Sequence, residues 1–297
     1  MNKVLTIAGV LMLVASSPVF AHQGTFFMPQ VPNPDNMVID GEDDDWGWID
    51  PAFAITPAEL FDVYGGPWPA PKDDWDVVSY TAWSSPPDNR LYYFARVTDD
   101  SLGLFNDDPQ SWWKDDSLEI IVDADHSSEN FLETERTTAQ QYGIRIDPAP
   151  GSAPVHIFNV PQESILWSTR EPWFTFRWTL DPPDAKSLQQ PAGTTVTYTY
   201  EVAQATWDFH DKNGPGASTR HMFAPDQIFG LTYQFDDAEN PEAGASVQAG
   251  TSPLDGAWQD NSIGTDFITV ATEGATGGTR TAVEADSWGR IKSYMAR

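Results

Sequence analysis

The sequence has no cysteine, few basic residues and no long apolar run after its first twenty residues. The lack of cysteine excludes disulfide bonds and a lipid anchor on an amino-terminal cysteine. Because 16 basic residues face 44 acids, the formal charge is −28, which argues against nucleic acid and anionic membrane surfaces as partners. No later segment approaches the ~20 apolar residues that a membrane-spanning helix requires. We therefore expect a soluble chain that binds neither nucleic acid nor membrane.

The amino terminus has the features of a secretory signal. Lys3 is followed by an apolar stretch from Val4 to Val14 and by compact residues up to Ala21. A charged start, a short apolar segment and a small-residue cleavage site are typical of signal peptides. The sequence thus predicts a signal peptide at 1–21, cleavage after Ala21, and a secreted or periplasmic mature protein.

Composition and periodicity divide the rest of the chain into three parts. Residues 22–36 contain several prolines and little periodicity, which predicts an extended leader. Residues 37–272 carry the strand patterns and predict one β domain. Residues 273–297 predict a flexible linker and a short basic amphipathic helix, in which Trp288 and Met295 share one face.

Alternating apolar and polar residues are the main indication of secondary structure. Leu118, Ile120 and Val122 fall on one face of a strand, and the residues between them fall on the other. The same pattern predicts strands at 37–40, 76–83, 91–97, 142–146, 155–160, 173–180, 196–202, 229–235 and 267–271. Thr56–Glu59 is a helix start signature, which predicts a helix at 57–63. The fold class predicted is all-β, a two-sheet antiparallel β-sandwich of the jelly-roll or immunoglobulin-like type with short peripheral helices.

Aspartate makes up 31 of the 44 acidic residues, and several aspartates stand in pairs where predicted strands end. Carboxylate oxygens are ligands that calcium prefers, and loops at strand ends can gather them around one ion. The candidate calcium ligands are Asp99, Asp100, Asp115, Asp116, Asp236 and Asp237, with a further pair at Asp107 and Asp108. Solvated turns and adaptation to a salty medium are an alternative explanation of the same pairs.

Thirteen tryptophans supply flat apolar rings on which sugars can stack. A tryptophan in an acidic or glycine-rich loop has fewer ways to be buried than one in a strand. The sugar-binding candidates in order of preference are Trp112, Trp113 and Trp258, then Trp83, Trp68 and Trp75. Because adjacent residues in extended chain point in opposite directions, one ring of the 112–113 pair should stack beside Trp258 while the other packs inward. Large aromatics also plug the ends of sandwiches, and this alternative stays open for each ring.

Five short motifs occur in a fixed order between residues 37 and 272. They are Ile39-Asp40-Gly41 with Asp45-Trp46, Leu91-Tyr92 running to Val97-Thr98-Asp99, Asp116-Ser117-Leu118-Glu119-Ile120 running to Asp123, Tyr200-Glu201-Val202-Ala203 with Trp207, and Phe229-Gly230-Leu231 running to Asp236-Asp237. In order and spacing they resemble the family 9 carbohydrate-binding modules, a class of DOMON-like β-sandwiches. The resemblance implies a two-sheet sandwich, calcium ions in loops at strand ends, a sugar held between aromatic side chains, and no catalysis by the module.

The resemblance also implies a biological setting. Relatives are often attached to enzymes that cleave glycosidic bonds, and no hydrolase domain accompanies this sequence. We therefore expect a secreted, non-catalytic carbohydrate-binding protein. It would bind an oligosaccharide or polysaccharide and act in polysaccharide capture or catabolism alongside separate glycoside hydrolases.

Two enzymatic alternatives and one haem-binding alternative stay open. A pair of carboxylates suffices to hydrolyse an O-glycosyl bond, and the sequence does not define which pair would be close enough. After signal cleavage, His22 would be the amino-terminal residue and would chelate copper as in the histidine brace of lytic polysaccharide monooxygenases, with a second histidine from positions 126, 156, 210 or 221. A haem-binding relative of the same sandwich needs axial Met or His ligands, for which Met222 beside His221 is the local indication.

Overall fold

The described part of the chain contains sixteen β-strands and several short helical turns, joined by loops. The structure is a computed structural model, which describes residues 24–63, 66–67, 75–106, 108–127, 130, 137–146, 155–158, 162–183, 185, 195–238 and 247–271. The strands are β1 (Thr25–Pro29), β2 (Phe61–Asp62), β3 (Gly66–Pro67), β4 (Trp75–Trp83), β5 (Leu91–Asp99), β6 (Ser117–Asp123), β7 (Gln140–Arg145), β8 (Val155–Ile157), β9 (Phe174–Arg177), β10 (Leu180–Asp181), β11 (Val196–Gln204), β12 (Trp207–Phe209), β13 (Thr219–Arg220), β14 (Ile228–Asp237), β15 (Val247–Gly250) and β16 (Asp266–Val270). One α-helical turn, α1, covers Gln162–Ile165, and 3-10 turns cover Pro34–Asn36, Asp44–Trp46, Pro51–Phe53, Pro57–Glu59, Pro109–Lys114 and Asn261–Ile263.

Most of these strands form two large sheets. The larger sheet has nine strands in the order β3-β2-β15-β14-β6-β7-β8, with β16 also paired to β14 and β1 paired to β16. The smaller sheet has five strands in the order β10-β11-β5-β4, with β9 also paired to β11. Strands β12 and β13 form a separate pair. This arrangement confirms the predicted all-β sandwich.

The core lies between the two large sheets and is built from the inward-facing residues of both. On β6, Leu118 and Val122 are buried as the alternation predicts. Tyr93 of β5 stacks on Tyr233 of β14, with ring centroids 5.6 Å apart, so the two sheets pack directly on each other. Glu119, between the buried residues of β6, lies on the opposite side of its strand. The alternation therefore decides which side chains reach the outer faces, where the candidate site lies.

Two local predictions need correction. The capping box of Thr56 and Glu59 is present, but its helix is the single turn Pro57–Glu59, because β2 begins at Phe61. The strand predicted at 37–40 is wrong, because that segment pairs with no strand and instead folds in turns over the smaller sheet.

The amino-terminal boundary of the domain also needs correction. The segment predicted as an extended leader includes β1, which pairs in parallel with β16 and so belongs to the larger sheet. The sandwich therefore begins before Met37. The predicted signal peptide at 1–21, the linker and helix at 273–297, and His22 and Trp68 lie outside the described residues. None of the helices in the described ranges has the length and apolar character that crossing a bilayer requires.

A second hydrophobic cluster, which we call the outer cap, covers the outer face of the smaller sheet. Segment 37–53 folds over β4, β5 and β11 and buries Trp46. Beneath it lies Glu201 of β11, whose Oε1 accepts a hydrogen bond from Trp46 Nε1 at 2.9 Å. Glu201 Oε2 accepts from the backbone amides of Asp40 at 2.8 Å and Gly41 at 2.7 Å. Burial raises the pKa of Glu201 to about 7, against the lowering effect of these three donors.

The outer cap should therefore depend on the second acceptor oxygen of Glu201. In a Glu201→Gln variant, the carboxamide NH₂ must face either the Trp46 indole N–H or the two backbone amides, which leaves donors opposed to donors. We expect the free energy of unfolding, measured by urea denaturation, to fall by about 1–3 kcal/mol. Glu171→Gln is the matched control, because Glu171 lies in an exposed ion pair with Arg177 and should change stability by less than about 0.5 kcal/mol. Equal effects of the two substitutions would contradict the assignment.

Candidate functional site

A cavity of about 290 Å³, which we call the aromatic pocket, lies on the outer face of the larger sheet. Trp113, Phe158, Trp258 and Leu254 provide its apolar walls. Phe158 contacts both indoles edge-to-face, with ring centroids 5.4 Å from Trp113 and 5.8 Å from Trp258. Trp258 Nε1 donates to Asp255 Oδ1 at 3.3 Å, which orients this indole beside an acidic lining residue. The walls therefore present aromatic surface on more than one side of a small cavity.

The floor of the aromatic pocket is polar. It is formed by the outward-facing side chains of four adjacent strands, namely Glu119 of β6, Gln141 of β7, Gln234 of β14 and Gln248 of β15. Gln141 Nε2 donates to Glu119 Oε2 at 2.6 Å. Within the described residues, Gln141 Oε1 is buried and has no hydrogen-bond partner. An amide and carboxylate floor beneath aromatic walls suits hydroxyl groups, because a hydroxyl both donates and accepts hydrogen bonds.

Trp112 lies behind the aromatic pocket. Its side chain is 1% exposed and packs edge-to-face on Trp113 and Phe158, with ring centroids 6.0 and 5.7 Å away. The indole lies across Gly143 of β7, where an added Cβ would come within 1.9 Å of the ring, so this contact requires glycine. The burial of Trp112 is incompatible with stacking on a sugar. Its neighbour Trp113 lines the pocket, so the two rings divide their roles as expected. They do so in the 3-10 turn Pro109–Lys114, not in the extended chain from which that division was predicted.

The structure brings Trp258 close to Trp113 by a route that differs from the expected one. We expected their two following strands, β16 and β6, to begin on the same side of the sandwich. Instead, β6 begins opposite the end of β14, whereas β16 begins opposite Gly230 near the start of β14. The connection from β15 to β16 passes over the outer face of the sheet, and it carries Trp258 to the pocket.

Trp83 and Trp75 are core residues. Trp83 is 0% exposed, and its Nε1 donates to the backbone oxygen of Val270 at 3.2 Å. Trp75 is equally buried and packs on Phe235. A ring without an exposed face cannot stack on a sugar, so Trp83 is corrected from a sugar-binding candidate to a packing residue.

Sequence reasoning missed Phe158 and the whole polar floor. Gln234 stands at an outward position of a predicted strand, where a polar residue is the ordinary pattern of a solvated face, and Gln141 immediately precedes the strand predicted at 142–146. Phe158 falls in a predicted strand and has no feature that separates it from a core residue. Only the fold of the connection that carries Trp258 turns this part of the sheet into the floor of a pocket.

Three of the six candidate calcium ligands meet in what we call the acidic cluster. Carboxylate oxygens of Asp99, Asp116 and Asp237 lie within 4.8 Å of one another, and all three residues are buried. Asp116 accepts hydrogen bonds from the backbone amides of Gly103 at 2.6 Å and Ala238 at 2.9 Å. Burial raises the pKa of Asp116 well above its ordinary range, and the carboxylates of Asp99 and Asp237 raise it further. Burial and the neighbouring acids thus both oppose ionisation of Asp116.

The three residues of the acidic cluster lie at strand ends, which a close contact between two backbone segments brings together. Asp99 ends β5, Asp116 immediately precedes β6, and Asp237 ends β14. The loop after β5 lies so close to the end of β14 that a Cβ on Gly103 would come within 2.0 Å of the Ala238 carbonyl oxygen. Glycine at position 103 therefore allows the three carboxylates to converge.

The other three candidates lie outside the acidic cluster. Asp115 is buried in an ion pair with Arg145 at 2.6 Å, so its charge is compensated within the protein. Asp236 lies on the outward side of β14 and accepts a hydrogen bond from the Ser117 hydroxyl at 2.5 Å. Asp100 is half-buried and is not among the three clustered carboxylates. In each predicted pair one residue at most joins the cluster. The prediction is therefore corrected for Asp100, Asp115 and Asp236, which are not among the carboxylates that the structure brings together.

The candidate histidines occupy separate places. His126 contacts Asp266 at 2.9 Å, and His221 contacts Asp208 at 2.5 Å. His210 stacks on Trp167, and burial lowers its pKa to about 4. His156 is buried, and Met222 is exposed. Across the described ranges, the one group of three or more potential metal ligands is the acidic cluster, which contains no histidine.

The sequence and the fold of this chain were compared with those of known proteins. Residues 80–160 match the model of the family described as Carbohydrate family 9 binding domain-like. This match confirms the resemblance to family 9 carbohydrate-binding modules that the order of sequence motifs indicates. No curated protein matches the chain.

Two solved structures of a family 9 carbohydrate-binding module from Caldicellulosiruptor kristjanssonii share the fold. The one in complex with cellotriose is 16% identical, with a TM-score of 0.53 over 87% of this chain and 100% of that chain. The one in complex with glucose is also 16% identical, with a TM-score of 0.52 over 86% of this chain and 100% of that chain. At this identity the likeness establishes the shared β-sandwich architecture.

The raised pKa values predict how stability depends on pH in the presence of a chelator. Asp116 has a pKa above its ordinary value of 3.8, and Glu201 has one of about 7 rather than 4.5. Between the unfolded and folded pKa values the folded state binds more protons, so stability is lost as the pH rises. The lowered pKa of His210 acts in the opposite sense over the same interval, so the test is a difference that cancels it. Calorimetric melting in chelator should show the melting temperature of the wild type falling relative to that of Glu201→Gln from pH 5 to 7. A difference that rises through this interval would contradict the shift assigned to Glu201.

Proposed function

We propose that this chain is a non-catalytic carbohydrate-binding protein that takes a neutral sugar into the aromatic pocket. The observation that carries the proposal is the combination of Trp113, Phe158 and Trp258 above a floor of amide and carboxylate groups. The aromatic faces suit the C–H face of a sugar ring, and the floor suits its hydroxyls. Relatives in the same fold are solved with cellotriose and glucose, which supports this ligand class.

Charge favours neutral over anionic sugars. The lining includes the acids Glu119 and Asp255, and no lysine, arginine or histidine is among the lining residues described. A carboxylated or sulfated sugar would meet like charge without a basic partner, which disfavours its binding. The pocket volume lies at the lower end of the ~300–1,000 Å³ typical of small-molecule sites, so it suits a sugar unit or a chain end better than a long segment.

Calcium is the metal that we propose for the acidic cluster. Three carboxylates form an oxygen-only donor set, which is the ligand chemistry of calcium. Their burial and the raised pKa of Asp116 fit a site that needs an added positive charge. Asp99, Asp116 and Asp237 would hold the ion, which would join the ends of β5 and β14 to the start of β6 and so stabilise the native state.

The cellular role rests on the sequence. The signal-like segment at 1–21 supports secretion or a periplasmic location, and the family resemblance supports action beside separate glycoside hydrolases in polysaccharide capture or catabolism. A hydrolytic alternative would use the two acids of the pocket. Release of sugar unchanged distinguishes binding from hydrolysis, and cleavage products would favour the alternative.

Removal of either indole that lines the aromatic pocket, Trp113 or Trp258, should weaken sugar binding. In calorimetric titrations with cellotriose in the presence of calcium, we expect Trp113→Ala and Trp258→Ala each to cost about 2 kcal/mol, or roughly 30-fold in Kd. The reason is the loss of a stacking face in a small pocket.

Two other tryptophans are controls for this measurement. Trp48→Ala removes a half-buried indole from the opposite side of the sandwich and should leave Kd unchanged. Trp112→Ala should lower the unfolding free energy by about 3–5 kcal/mol, because the ring is buried. Unaltered affinity in both pocket variants would exclude the aromatic pocket as the sugar site.

Calcium should raise the melting temperature. At 100 times its dissociation constant, an ion that binds only the native state adds about 2.7 kcal/mol, or roughly 5–10 °C for a domain of this size. The Asp237→Asn variant should lose most of this response. Asp100→Asn is the matched control, since it removes a neighbouring acid outside the cluster and should keep the response. Superimposable curves of wild type in calcium and in chelator would contradict the metal site.

A further inference from the structure

The acidic cluster and the aromatic pocket share two neighbouring strands. Asp116 is followed by Ser117 at the start of β6, and Asp236 is followed by Asp237 at the end of β14. Ser117 and Asp236 are direct partners in the register of these antiparallel strands. Because successive strand residues point to opposite faces, one residue of each dipeptide reaches the cluster while the other faces the outer surface.

Polar side chains continue from these outward residues to the floor of the pocket. The buried Ser117 hydroxyl donates to Asp236 Oδ2 at 2.5 Å. Asp236 is the register partner of Gln248 on β15, and Glu119 is the next outward residue after Ser117 on β6; both Gln248 and Glu119 line the pocket. Glu119 accepts a hydrogen bond from Gln141 at 2.6 Å. Asp116 and Asp237 are thus each one peptide unit away from a row of outward polar side chains that ends at the floor of the pocket.

A cation in the acidic cluster would change the forces at this end of the two strands. Without it, the neighbouring carboxylates of Asp116 and Asp237 oppose each other's ionisation. With it, both carboxylates would be held at one point, at the start of β6 and the end of β14. Ser117 and Asp236 are the chain neighbours of these acids and are register partners, so a change in the cluster would reach the outward polar row through them.

We propose that the Ser117–Asp236 hydrogen bond couples the two sites, so that a divalent cation in the acidic cluster raises the affinity of the aromatic pocket for sugar. Ser117 is a positioning residue in this scheme, because it touches neither ligand. The proposal rests on the proposed function, since it requires both sites to bind. Coupling between binding sites is reciprocal, so the sugar must raise calcium affinity by the same factor.

Because the coupling is reciprocal, it can be tested by measuring the binding of each ligand in the presence and absence of the other. Calcium is titrated calorimetrically into the chelator-treated, metal-free protein, with and without saturating cellotriose, and cellotriose is titrated with and without calcium. We expect each ligand to lower the Kd of the other by the same factor of about five or more. In Ser117→Ala the factor should fall to about one, while calcium binding without sugar stays within about threefold of wild type. Ser117→Thr keeps the hydroxyl and should restore the coupling.

The possible results separate the proposals. Binding of both ligands by wild type with a factor of one overturns the coupling and leaves carbohydrate binding intact. Full coupling in Ser117→Ala overturns the role of this hydrogen bond. Failure of cellotriose to bind, with or without calcium, overturns the coupling together with its basis in sugar binding. If Ser117→Ala does not fold, Ser117→Cys supplies the same comparison, because a thiol fills the site but donates only weakly.

Discussion

The register that pairs β14 with β6 is the constraint on which the rest of the structure depends. In this register, Phe235 faces the core while Gln234 and Asp236 face the outer surface. A slip of one residue would exchange these faces, placing polar groups in the core and an aromatic ring on the pocket floor. The buried apolar rows of both strands exclude that slip. The hydrophobic core between the two sheets thus fixes the chemistry of the opposite face, although the described lining of the pocket includes no residue of that core.

The strands were predictable because one face of each is buried and the other is polar or paired. Strand β11 is an example, since the alternation of its valines and tyrosines predicts the buried row that is observed. Strand β1 could not be predicted in this way. Its sequence Thr25–Pro29 has three consecutive apolar residues and ends in proline, and its place in the sheet is set by the distant strand β16. The short strands β2, β3 and β13, of two residues each, are too brief to show a period.

The candidate site was predictable to the extent that local geometry determines it. Trp112 and Trp113 divide their roles as expected, but they do so in the 3-10 turn Pro109–Lys114 and not by strand alternation. Alternation does apply to the paired acids: of Asp236 and Asp237, which are adjacent on one strand, only one reaches the cluster. Sequence alone does not say which member points inward, because that depends on the register of the partner strand. Nor does it predict the compensation of Asp115 by Arg145, which lies thirty residues away on β7. The floor glutamines gain their role from a loop that crosses above them.

The outer cap and the aromatic pocket show why similar residues form a packed cluster on one sheet and an open site on the other. Both place tryptophan above an outward-facing glutamate in mid-strand, Glu201 on β11 and Glu119 on β6. Glu201 receives three donors from the segment folded over it, so its hydrogen-bonding capacity is used within the protein. Glu119 instead shares a floor with Gln141, whose Oε1 is left without a partner in the described chain. A buried polar group without a partner costs about 1–3 kcal/mol. The segment folded over the smaller sheet thus supplies the donors to Glu201, whereas a neighbouring strand of the larger sheet supplies the donor from Gln141 to Glu119.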